Sequence, residues 1–102
     1  MDRVQALTEL VSQQPEDTFA RYGLAMALAA AGRDEDSLAE YTTLIAKSPD
    51  YVPAYQMSAQ TLLKLGRTAE AKQRLESGLA AADRTGNSHA ASELGAMLDD
   101  LR

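Results

Sequence analysis

An all-α protein built from repeated helical hairpins is what this sequence predicts, and three observations carry that prediction. Turn residues recur in register: Pro15 and Pro49 stand 34 residues apart, and Gly32-Arg33 and Gly66-Arg67 share the same offset. Between the turns, apolar residues fall at i, i+3, i+4 and i+7, which lines one stripe of a helix; a strand would alternate instead. Composition agrees, because Ala and Leu dominate the apolar 45% of the chain while aromatics are four Tyr, one Phe and no Trp, a mixture that favours helix over sheet.

Taken in order, the pattern predicts six helices near residues 2–13, 18–31, 35–47, 52–65, 69–84 and 88–101 and no strands. They are of two alternating types. In one type, Val4, Leu7, Leu10 and Val11 recur as Leu38, Tyr41, Leu44 and Ile45, and again, with two departures, as Lys72, Leu75, Gly78 and Leu79. In the other, Ala20, Ala25 and Leu28 recur as Ala54, Ala59 and Leu62, then after two extra residues as Ala90, Gly95 and Leu98. Gly32, Gly66 and Gly86 suit the left-handed conformation that ends a helix, and Asp34, Thr68 and Ser88 follow as expected N-caps. Pro53 fits a first helical turn, where its missing N–H is not needed.

A 34-residue period, a helix–turn–helix unit, a small residue in the opening helix and a closing proline together resemble the tetratricopeptide repeat family. The resemblance covers nearly the whole chain and implies a right-handed solenoid of about six antiparallel helices, or about 2.5 to 3 repeats. Its parts would be a half repeat at 2–14, repeats at 15–48 and 49–86, and a capping helix at 88–101, all in a single domain. The stretches from Pro15 to Ala25 and from Pro49 to Tyr55 look like those of small stand-alone bacterial members. Ala25, Ala59 and Gly95 take the register of the small residue at the closest helix approach. Departures are Arg21 where the family often has Trp, Ser37 where Ala is usual, Ser58 where Leu is usual, and Asp83 in place of a third proline.

Several functions are disfavoured by inventory. Ten basic against fifteen acidic side chains give a formal charge of −5, which opposes binding to nucleic acid or an anionic membrane. Without cysteine there is no disulfide, thiolate metal site or cysteine nucleophile. The single histidine, His89, has no partners at ligand spacing and reads as an exposed polar residue. Acidic pairs such as Asp34 with Glu35 and Asp99 with Asp100 read as solvated capping charges. The expectation is a protein with no catalytic site, no cofactor and no metal. No run approaches the ~20 apolar residues of a membrane span and no secretory signal is evident, so a cytoplasmic location is expected.

The resemblance supplies the candidate site, since opening helices in the family line a concave face. The inward residues would be Phe19, Tyr22 and Met26 on one helix and Gln56, Met57, Gln60 and Lys64 on the next. A groove of aromatic, thioether and amide groups suits an apolar or amphipathic segment of a partner protein. Some family members clamp a chaperone's terminal carboxylate with Lys, Arg and Asn. The matching positions here are Tyr22, Met26, Met57, His89 and Glu93, which argues against that partner. The alternative reading is self-assembly, a homo-oligomer formed through Val4, Leu7 and Leu10 on the N-terminal helix edge. The register itself is testable: Ala59→Phe is expected to overpack a helix contact by ~1–3 kcal/mol and to lower the melting temperature in a thermal scan.

Overall fold

The computed structural model describes residues 1–102 and contains six helices: α1 (Arg3–Gln13), α2 (Thr18–Ala30), α3 (Asp34–Lys47), α4 (Val52–Lys64), α5 (Thr68–Arg84) and α6 (Ser88–Asp100). Every predicted helix forms, with its ends within one residue of the expected positions. The chain divides into two compact units, Met1–Ser48 and Pro49–Arg102, each containing three of the helices. No helix is long and apolar enough to cross a membrane.

One turn design is used three times. Gly32, Gly66 and Gly86 adopt φ of 78°, 75° and 70°, a region that costs glycine nothing and other residues a clash. The next residue's N–H then reaches back to a helix carbonyl: Arg33 to Leu28, Arg67 to Leu62 and Asn87 to Ala82. This is the bonding that satisfies orphan carbonyls at a helix C-terminus. The same residue also opens the following helix, so the N-caps are Arg33, Arg67 and Asn87. The expected caps Asp34, Thr68 and Ser88 are displaced by one position to become first helical residues, because a turn this tight leaves no residue between the glycine's neighbour and the helix.

The two arginine caps accept no backbone N–H through their side chains. Instead Arg33 pairs with Asp36 and Arg67 with Glu70, each three residues on, where the acid also complements the helix dipole. Asn87 caps directly, its side chain accepting from Ala90 N–H. Pro53 lies in the first turn of α4 as the sequence suggests.

In the first unit α2 packs between α1 and α3. Val11, Ala20, Leu24 and Leu28 form a buried cluster on which Val4, Leu7 and Leu10 pack, themselves partly buried. The apolar stripe of α1 is therefore turned onto α2. On the other side of α2, Ser37 is fully buried and donates from Oγ to the Ala25 carbonyl at 2.6 Å. The serine at a usual alanine position thus adds a direct bond between α2 and α3. Arg21, where the family often has Trp, is nearly buried along its stem and places Nη1 2.8 Å from Glu40 Oε1, while Nη2 donates to the Pro15 carbonyl.

The second unit, with α5 between α4 and α6, meets the same demands with different residues. Tyr55 occupies the register of Arg21, and its hydroxyl donates to the Pro49 carbonyl. Its body lies against Gly78, where an added Cβ would come within 2.6 Å of Tyr55 Cβ. Gly78, an apparent departure from the apolar pattern, is thus a close-approach position that accommodates a bulky neighbour. Leu94 meets the same glycine from α6, 3.4 Å from the position of that Cβ. Ser58 is buried and bonds to the Tyr55 carbonyl of its own helix.

Ala25 and Ala59 are fully buried, as expected of small residues at helix contacts. Gly95 does not share that role. Nothing lies within 4 Å of where its Cβ would stand, so the position makes no close helix contact. The two glycines therefore separate cleanly in a substitution experiment. Gly95→Ala is expected to stabilise the protein by roughly 0.5–1 kcal/mol through helix propensity, whereas Gly78→Ala should lose about 1–3 kcal/mol by overpacking; urea unfolding of both variants reads the opposite signs.

Candidate protein-binding faces

Helix α2 buries Ala20, Leu24, Ala25, Ala27 and Leu28, and this leaves a different side of it outward. Phe19, Tyr22 and Met26 follow one another there at i, i+3 and i+7, a stripe about 10 Å long at 1.5 Å per residue. Phe19 is 75% exposed and Met26 36%. Tyr22 is half-buried because its ring leans on Tyr41 of α3, with centroids 6.2 Å apart and planes at 59°. That tilted geometry is favourable for aromatic pairs and holds Tyr22 in place beside its more exposed neighbours.

On α4, Ala54, Tyr55, Ser58, Ala59 and Leu62 are buried, while Gln56 and Met57 are partly exposed and Gln60 and Lys64 exposed. Gln56 is already engaged: its Nε2 donates to Glu93 Oε2 on α6 at 3.1 Å. The other oxygen of Glu93 lies 2.7 Å from His89 Nε2. Gln56, Glu93 and His89 thus form a polar chain across α4 and α6, with Met57 the large apolar group among the α4 candidates.

Of the seven predicted site residues, the structure groups Phe19, Tyr22 and Met26 on one face in the first unit, and Gln56, Met57, Gln60 and Lys64 on one face in the second. The sequence reading missed Tyr41 as the support of Tyr22, having counted it only as a stripe residue of its own helix. It also missed the bond from Gln56 to Glu93. Residues 37 positions apart carry no local signal of contact, whereas His89 and Glu93 are legible as an i, i+4 pair. No three His, Asp or Glu side chains converge in a way that would hold a metal ion.

The family model for the tetratricopeptide repeat matches residues 35–94. The chain belongs to the tetratricopeptide repeat family. Among solved structures, a tetratricopeptide repeat domain protein from Salinibacter ruber is 30% identical, with a TM-score of 0.82 over 86% of this chain and 89% of that one. The TPR2B domain of yeast Sti1, solved as a complex with pHsp70, is 26% identical, with a TM-score of 0.87 over 96% of this chain and 78% of that one. PcrH, solved with the chaperone binding region of PopD, is 21% identical with a TM-score of 0.89 over 96% of this chain and 74% of that one, a likeness of fold. No curated protein matches the chain.

The residue under the α2 face has a measurable signature. Burial pushes the Tyr41 hydroxyl from its ordinary value of 10.0 up to about 12, with neighbouring Tyr22 adding to the rise and the Ser37 hydroxyl opposing it. In the unfolded chain the phenol ionises first, so the stability linked to this group is complete below about pH 10 and is lost as pH rises towards 12. Its size is on the order of 2–3 kcal/mol at about 1.4 kcal/mol per unit. Stability measured by denaturant titration across this range is expected to fall in the wild type and to fall less in Tyr41→Phe.

Proposed function

We propose that this tetratricopeptide repeat protein is a non-catalytic interaction module that holds a segment of another polypeptide, with the exposed faces of α2 and α4 as its contact surfaces. The observation that carries this reading is the stripe of Phe19, Tyr22 and Met26. Single exposed apolar residues are ordinary on any protein, but these three share one side of one helix, and that side is not the one α2 uses for its core. Aromatic and thioether side chains of this kind adapt to a partner's irregular apolar surface. On α4, Met57 adds an apolar contact and Gln60 and Lys64 add polar ones.

Sti1 TPR2B, solved with pHsp70, makes a protein partner the natural occupant for a relative of this family. The chemistry of the faces differs from a basic carboxylate clamp, because Tyr22, Met26, Met57, His89 and Glu93 offer apolar surface and an acid. An acidic terminal tail is therefore a poor partner. Self-assembly through the N-terminal edge has less behind it, since Val4, Leu7 and Leu10 pack against the first unit's core.

The test is a pull-down from source lysate with the wild type beside a Tyr22→Ala/Met57→Ala double variant, after circular dichroism shows equal helicity. A protein retained by the wild type and lost by the variant is the expected outcome. Retention that is unchanged, or absent altogether, rejects the two faces as the binding surface.

A further inference from the structure

Helices α2, α4 and α6 are of one type and α1, α3 and α5 of the other, and two hairpins, α2 with α3 and α4 with α5, show how the types meet. The contact face carries Ala25 and Leu28 on α2 and Ala59 and Leu62 on α4, all buried. Helix α6 repeats that face as Gly95 and Leu98, yet both are only partly buried. Helix α6 packs on α5, and nothing stands within 4 Å of a Cβ built at Gly95. The face that closes a hairpin twice is open the third time.

The other helix type is short of cover on the matching side. Ser37 and Leu44 of α3 and Ala71 and Leu75 of α5 are buried. Their counterparts on α1 are Arg3, which is exposed, and Leu7 and Leu10, which are partly buried; Ala6 on the same side is exposed as well. Beside the start of α1 lies a cleft of about 320 Å³, lined by Asp2, Arg3 and Val4 and by Ala27, Ala30 and Ala31 at the end of α2. Of the three helices of this type, α3 and α5 are already engaged with α2 and α4, which leaves α1 to supply the contact that α6 lacks.

Two contacts of the first hairpin give the register of such a pairing. Ser37 Oγ donates to the Ala25 carbonyl, and the equivalent pair is Arg3 against Gly95. Arg21 meets Glu40, and the equivalent pair is Ala91 against Ala6. A long side chain then faces a residue with none, as Tyr55 faces Gly78, and two small residues face each other, so the helices can approach closely. The antiparallel order brings Leu98 towards the first turn of α1, beside the cleft. Covering the exposed parts of Leu7, Leu10 and Leu98 provides the driving force.

We propose that the Gly95 face of α6 is a docking site for a second copy of this chain, which lays its α1 there and makes between two molecules the contact that α2 and α3 make within one. The contact is heterologous, one copy offering α6 and the other α1, and so differs from a pairing of two α1 edges. It involves none of Phe19, Tyr22, Met26 or Met57 and stands apart from the partner-binding reading.

Sedimentation equilibrium of the full chain tests it. One helix pairing is small beside the roughly 1,200–2,000 Å² of stable interfaces, so association belongs at high concentration: the weight-average mass is expected to rise by about half or more between about 10 μM and about 1 mM. Gly95→Lys blocks the α6 face and Ala6→Lys the α1 face, both at positions where the single chain has room, and circular dichroism should show unchanged helicity. Each variant alone is expected to stay monomeric, while an equimolar mixture associates as far as a dimer, since each variant keeps the face the other has lost. A wild type that stays monomeric throughout overturns the proposal, as does association that survives Gly95→Lys or a mixture that remains monomeric.

Discussion

Antiparallel helices can bury their apolar stripes together only where something small stands between them, and every hairpin of this chain depends on that constraint. Ala25, Ala59 and Ala71 are fully buried at such positions. Where the constraint is tightest, at Gly78, even a methyl group would collide with the first side-chain carbon of Tyr55. A Cβ cannot rotate away from its own backbone, so the only relief would be to move the helix. Helix separation, and with it the depth to which Leu62, Leu75 and Leu94 are buried, follows from these few residues.

Within that limit the two repeats exchange chemistry freely. In the first, Arg21 holds the Pro15 carbonyl and pairs with Glu40; in the second, Tyr55 holds the Pro49 carbonyl and leans on a glycine. A surface pair recurs as well, Lys47 with Glu16 in one unit and Arg84 with Asp50 in the other, each linking the start of a hairpin to its end. Exposed pairs of this type contribute about 0–1 kcal/mol. They belong to the design of the repeat rather than to its main stabilisation, which comes from apolar burial. The shared backbone arrangement needs a donor for the proline carbonyl and a filled contact, and more than one side chain meets both needs.

The functional reading follows from how a helix divides its surface. Once α2 has committed Ala20, Leu24, Ala25, Ala27 and Leu28 to packing, Phe19, Tyr22 and Met26 are left on a separate stripe, steadied by Tyr41 from α3. The apolar character of that stripe is not needed to close the hairpin. The α4 face is different in kind, since Gln56 is already tied to Glu93 and the polar chain continues to His89.

The sequence by itself determined the helices, the turns between them and the family. These depend on local rules: a 3.6-residue periodicity, glycine at positive φ, and a 34-residue recurrence of turn residues are all readable within a short window. It also marked Ala25 and Ala59 as contact positions, because their register is shared. Tertiary structure alone decided that Gly78 accommodates Tyr55, that a Cβ at Gly95 would meet nothing within 4 Å, that Arg33 and Arg67 rather than their successors cap the next helices, and that Gln56 is bonded to Glu93. Apart from the caps, those outcomes turn on which side chains meet from distant parts of the chain. Residue type and spacing place a group on a helix face, but only the packed backbone sets the distance to what stands opposite.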